Sequence, residues 1–226
     1  NAGLALTTGG GNTLLGSDAG IAITASSNNV IIGRSAAPGS GTHTDTIIIG
    51  KGAGCTNAYN NSYNVFIGQG SGSGAWGGES QQNVALGNGT LKGNMNGANY
   101  NTALGYEAGK SVTTGDNNVC LGLHSGAYVT NIITGQQNVC LGSYSRTSAT
   151  DSQRCHAIGY NFGALAGNNT FSVQASSGAY QSNNSSSWST TSDSRIKKNI
   201  VDNTKGLDII NQIRVRNFEY RTVEEI

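Results

Sequence analysis

A five-residue phrase, Asn-(Val/Thr)-apolar-(Leu/Ile)-Gly, returns along the chain every 17 to 20 residues, and no other property restricts its fold so severely. Clear copies close on Gly16, Gly33, Gly68, Gly87, Gly105, Gly122 and Gly142, and degenerate copies run Thr46–Gly50 and Cys155–Gly159, nine in all. A period this short excludes propeller blades and paired-helix repeats and matches one coil of a narrow β-solenoid. Each copy reads as a short strand followed by a turn, often Gly-x-x-(Ala/Ser)-Gly as in Gly105–Gly109 and Gly122–Gly126. Glycine there provides the positive φ and the close backbone approach that corners require. A more polar return segment, such as residues 111–115, leads to the next copy. Coils stacked at about 4.8 Å would make a rod roughly 40 Å long. Residues 2–12 repeat the pattern of 108–118, so the chain enters partway through a tenth coil.

The second and fourth positions of the phrase, such as Val65 and Ile67, point to one face of the strand, and the third points to the other. The third position is also apolar, at Leu14, Ile31, Ile48, Phe66, Ala85, Ala103, Cys120, Cys140 and Ala157. Strands apolar on both faces need cover on both, and so small a coil has only one interior. The expected fold is therefore an all-β, narrow β-solenoid or β-roll whose second face packs against further copies of the chain, most economically as a homotrimer.

Composition supports a repeat rather than an ordinary enzyme domain, with 36% hydrophobic residues, few aromatics and a single proline in 226 residues. A net charge of +1 offers no basic stripe for nucleic acid or for an anionic membrane surface. No apolar run approaches the roughly 20 residues that span a bilayer, so membrane insertion is not expected. No motif calls for a cofactor or a metal ion: the cysteines lack ligand spacing, and Cys120 and Cys140, at one repeat position, are expected to stack as small buried hydrophobes. Cys155-His156 replaces Asn-Val and marks the end of the regular coil, whereas His43 and His124 fall at turns and are expected to be solvated. Six carboxylates, Asp18, Asp45, Glu79, Glu107, Asp116 and Asp151, are spread along the repeat, and glycan hydrolysis needs two of them about 5 to 9.5 Å apart.

The organisation changes abruptly near residue 192. Residues 1–191 hold 33 of the 34 glycines and twelve charged side chains, while the last 35 residues hold one glycine and thirteen charges. Three segments result: a repeat shaft over 1–167, a serine-rich extended connector over 168–191, and a small α+β segment over 192–226. In the last, Leu207, Ile210 and Ile213 share one helical face, and 215–220 reads as a short strand. The connector is expected to be ordered by packing around Phe171, Tyr180 and Trp188.

Trp188-Ser189-Thr190-Thr191 followed by Ser192-Asp193-Ser194-Arg195-Ile196-Lys197-Lys198-Asn199-Ile200, then Leu207–Ile213 and Phe218–Arg221, resembles the opening of the intramolecular chaperone auto-processing domain of endosialidase-type phage tailspikes and other viral fibres. A related domain occurs in the myelin regulatory factor. The repeat region separately resembles the β-roll heads of trimeric autotransporter adhesins and the repeat regions of viral fibres. The resemblance implies a C-terminal chaperone that drives trimerisation and then releases itself, with Ser192 attacking the Thr191 carbonyl and Lys197 as general base. A lysine near its ordinary pKa of about 10.4 is protonated, so burial on assembly would have to activate the pair. The implied protein is a viral or phage tail fibre or spike on the virion surface, structural and adhesive, binding a host-surface glycan or protein through turn residues such as Tyr59, Tyr63, Trp76, Tyr106 and Tyr128. A bacterial cell-surface adhesin and a polysaccharide-degrading tailspike are the alternatives.

Overall fold

The structure is a computed structural model that describes residues 1–56, 60–127, 132–164, 167–174, 179–182 and 189–190, the last two segments as backbone. The described strands belong to one unit, Asn1–Thr191. The expected helix and strand beyond residue 192 lie outside the described residues.

Each of the nine repeat copies forms one three-residue strand: β1 (Thr13–Leu15), β2 (Val30–Ile32), β3 (Ile47–Ile49), β4 (Val65–Ile67), β5 (Val84–Leu86), β6 (Thr102–Leu104), β7 (Val119–Leu121), β8 (Val139–Leu141) and β9 (His156–Ile158). They pair in parallel, in chain order, with every phrase in register, for example Val65↔Val84, Phe66↔Ala85 and Ile67↔Leu86. This is the β-solenoid that the period implied. Residues 3–8 stack on the first full coil through Gly3 N–H to Ala19 O at 2.9 Å and Thr7 N–H to Thr24 O at 2.9 Å.

The third position of each phrase faces inward. Ile31, Ile48, Phe66, Ala85, Ala103, Cys120, Cys140 and Ala157 are buried in one column. Side chains from the turns and returns meet them there, including Ile23, Leu91, Met95, Val112, Ile132 and Phe162. Bulk is shared between the two sides of each coil. Where the strand contributes Phe66, Trp76 packs edge-on to it at 5.4 Å, and where it contributes Ala103, Leu91 fills the space beside Gly109. Trp76 is therefore a core residue, which corrects its expected place among exposed recognition residues.

His43 requires a similar correction. It is buried rather than solvated, its Nδ1 lying 3.3 Å from Asn61 O. Desolvation holds its pKa below the ordinary histidine value. His124 is half-buried. Cys120 and Cys140 do face one another across β7 and β8, and burial raises the Cys120 thiol to about 12 and Cys140 well above its usual value. These thiols stay protonated and inert.

Two backbone devices hold the coils at strand spacing. The phrase-opening asparagines form an internal ladder: Asn83 Oδ1 accepts from the Asn101 backbone N–H at 3.0 Å, Asn101 Oδ1 from that of Asn118 at 3.0 Å, and Asn118 Oδ1 from that of Asn138 at 3.1 Å. Each amide nitrogen also crosses the coil, as in Asn101 Nδ2 to Gly115 O at 2.9 Å. The closing glycines form the second device. From Gly16 to Gly142 their φ values run from 116° to 138°, and a Cβ on any of them would lie within 2.8 Å of the next glycine's backbone.

Past β9 the stack continues where the sequence suggested a connector. β10 (Thr170–Val173) pairs in parallel with β9, with Phe171 opposite His156, and β11 (Ala179–Ser182) and β12 (Ser189–Thr190) follow antiparallel. Gln174 stands where earlier coils carry the closing glycine, and a Cβ on Gly159 would lie 2.7 Å from its Cβ. Phe171 packs edge-on to His156 at 6.1 Å; the side chains of Tyr180 and Trp188 lie outside the described residues.

Candidate functional site

The turn after each closing glycine sets a surface column. Its second residue takes a left-handed conformation in Asp18, Ser35, Glu107, His124, Tyr144 and Asn161, with φ between 47° and 60°. From Ser35 onward a backbone bond to the preceding coil fixes these residues in place, as in His124 N–H to Tyr106 O at 2.8 Å, Tyr144 N–H to Leu123 O at 2.7 Å and Asn161 N–H to Ser143 O at 2.8 Å. Side chains at equivalent turn positions therefore stack coil upon coil.

In the last four coils this stacking brings together four rings. Tyr106 meets His124 edge-on at 5.3 Å, His124 lies nearly parallel to Tyr144 at 5.5 Å, and Tyr144 meets Tyr160 edge-on at 6.1 Å. The inner two rings are half-buried, and the outer two are open, Tyr106 at 49% and Tyr160 at 70% exposure. At the first end, Lys110 Nζ donates to Glu107 Oε2 at 2.6 Å, and His124 Nδ1 stands 3.3 Å from the same oxygen. That lysine bond holds the Glu107 carboxyl below its usual pKa, with the nearby positive charges of Lys110 and Lys92 adding to the effect.

At the far end, Arg146 occupies a turn position that holds glycine in Gly20, Gly54, Gly72, Gly109 and Gly126. Its guanidinium donates to Tyr144 O at 3.3 Å and to Asn161 Oδ1 at 3.2 Å from one terminal nitrogen. The side chain lines an open groove of about 440 Å³ with Thr147, Ser148, Asn161, Phe162 and Gly163. Gly163 accommodates it: a Cβ there would stand 3.3 Å from Arg146 Nε.

Glu107 is met by Lys110 and His124 rather than by the second carboxylate that glycoside hydrolysis requires. Asp116 accepts from Asn99 N–H at 2.7 Å. Among the described residues no three His, Cys, Asp or Glu side chains are grouped to hold a metal ion.

Of the residues expected to contact a partner, Tyr106 stands in this ladder. Tyr63 is 53% exposed on the opposite flank of the strand face, in the left-handed position just before Asn64. Tyr59, Tyr128, Thr191, Ser192 and Lys197 lie outside the described residues. Sequence reading missed His124, Tyr144, Tyr160 and Arg146 as a group. Counting each turn from its closing glycine would have revealed them, because Tyr106 and Tyr160 then share one position and Glu107, His124, Tyr144 and Asn161 the next. The chain matches no family model, no curated protein and no solved structure.

Proposed function

We propose that this chain is the shaft of a homotrimeric viral or phage fibre or spike, structural and adhesive in role, displayed on the virion and attaching it to a host surface. The observation that carries the proposal is the outward strand face. Its two columns, from Val30 and Ile32 through Val139 and Leu141, are apolar in every coil save Thr102 and remain partly exposed in the single chain, with Leu104 at 49%. A continuous apolar face on a repeat is a surface for association, and three identical rods laid face to face about an axis cover it without leaving open binding edges.

In this reading the charged segment after Thr191 is an assembly chaperone, and Ser192 with Lys197 releases it by attack on the Thr191 carbonyl. Expression from the complete reading frame, with and without Ser192→Ala, tests the release step. Denaturing mass spectrometry is expected to find two fragments for the parent and one for the variant. An intact parent after assembly would contradict it.

A further inference from the structure

We propose that Asp45 of one chain and Lys51 of the next form an ion pair wherever two chains of the shaft meet, and that this pair sets the copies parallel with equal coils at one level. This rests on the homotrimer reading above and names the residues through which one copy recognises another.

The outward apolar columns are bordered on both sides. On one side stands the residue before each phrase, left-handed at Asp45, Tyr63, Tyr100 and Arg154 with φ between 52° and 61°. On the other stands the residue after each closing glycine, such as Lys51 and Asn88. Asp45 precedes β3 and Lys51 follows it, and both are exposed. A bond from Asp45 N–H to Ser27 O at 3.1 Å holds the first border to the preceding coil. The backbone between the two residues spans roughly 15–20 Å, so they cannot pair within one chain. Among the described residues neither has an ionic partner.

Rotation about an axis along the stack joins one border of each chain to the opposite border of the next, and closure of the ring brings equal coils to one level. The β3 coil then sets Lys51 against Asp45. The other charged border residues meet no like charge, since Arg34 faces Asn28 and Arg154 faces Tyr160. Repetition gives such a mark its use. From β2 to β8, Val, Ile and Leu fill both apolar columns save for Thr102, so a copy displaced by one whole coil would still lay apolar surface on apolar surface. Asp45 is the only acid in either border, and complementary charges fix register more than they add affinity. Full antiparallel overlap would set the β3 coil against the β7 coil, whose borders carry Asn117 and Leu123.

Carbodiimide coupling of the assembled protein tests the pair, because it joins a carboxylate and an amine in contact as an amide, with loss of water and no spacer. Covalent dimers and trimers are expected on a denaturing gel, and peptide mass spectrometry is expected to find Asp45 joined to Lys51. Lys110 and Glu107, 2.6 Å apart in one chain, are the coupling control. Lys51→Arg is expected to abolish the linked peptide while the protein still sediments as a trimer, since guanidinium keeps the charge but does not couple. At the urea concentration that half-dissociates the parent, Asp45→Arg is expected to shift mass toward smaller species, and Lys51→Glu added to it to restore the trimer. Arg154 already occupies the equivalent left-handed position, so the arginine is compatible with the fold. A trimer in which the control couples and Asp45 does not join Lys51, or a double variant that assembles no better than Asp45→Arg, would overturn this pairing alone. A parent that sediments as a monomer would remove the homotrimer reading beneath it.

Discussion

Asn101 shows how much of the fold rests on one amide. Its Oδ1 accepts from both the backbone N–H and the side-chain nitrogen of Asn118 at 3.0 Å, and its Nδ2 reaches Gly115 O at 2.9 Å. Asn101→Ala orphans a buried N–H of the next coil, which costs about 1–3 kcal/mol, and equilibrium denaturation is expected to show a loss of at least that size. His43 supplies a pH test. Its native pKa lies below the ordinary value, so in the unfolded chain the imidazole protonates first as pH falls. The unfolded state then binds more protons, and stability falls as pH drops below about 6.5, being fully present above it. Melting curves between pH 8 and pH 5 are expected to show this loss, and His43→Leu to reduce it. The burial of His43 and Trp76 was not legible in the sequence, because both stand in turns or returns where no two-residue alternation assigns a side chain to a face. Their placement follows from what the strand contributes across the coil, Phe66 in the case of Trp76.

At the scale of the strand, three residues carry two kinds of energy. The inward position is core, so Phe66→Ala is expected to cost about 3–5 kcal/mol by denaturation. The outward neighbour Ile67 is half-exposed within the coil, and Ile67→Ser is expected to leave the isolated coil's stability nearly unchanged while weakening association between chains. Gly105 belongs to the turn rather than to either face. At φ 128°, with a prospective Cβ 2.6 Å from Gly122 O, Gly105→Ala adds steric overlap to backbone strain of about 1–3 kcal/mol. Reduced yield and a lowered melting point are the expected readouts. These nine strands and their register were readable because asparagine, an apolar triplet and glycine recur together. β10 was not, because its inward residues are Thr170 and Ser172 and no glycine closes it.

Across the whole molecule the coils and the surface columns are two consequences of one repeat. Stacking in register places every nth residue of one coil beside its equivalent in the next, which aligns the buried asparagines inside and the outward strand residues outside. The interior was legible as a pattern of like residues at one position, whereas the aromatic ladder spans two adjacent turn positions, Tyr106 and Tyr160 at one and His124 and Tyr144 at the next, and shows only when each turn is counted from its closing glycine. The same stacking makes the outward apolar columns continuous, and that continuity underlies the proposed assembly. Sedimentation velocity of the full chain over a range of concentrations tests it most directly. A single trimeric species, whether or not the segment after Thr191 has been released, is the predicted result, with Ile67→Ser shifting mass toward smaller species. A monodisperse, folded monomer at every concentration would contradict the account.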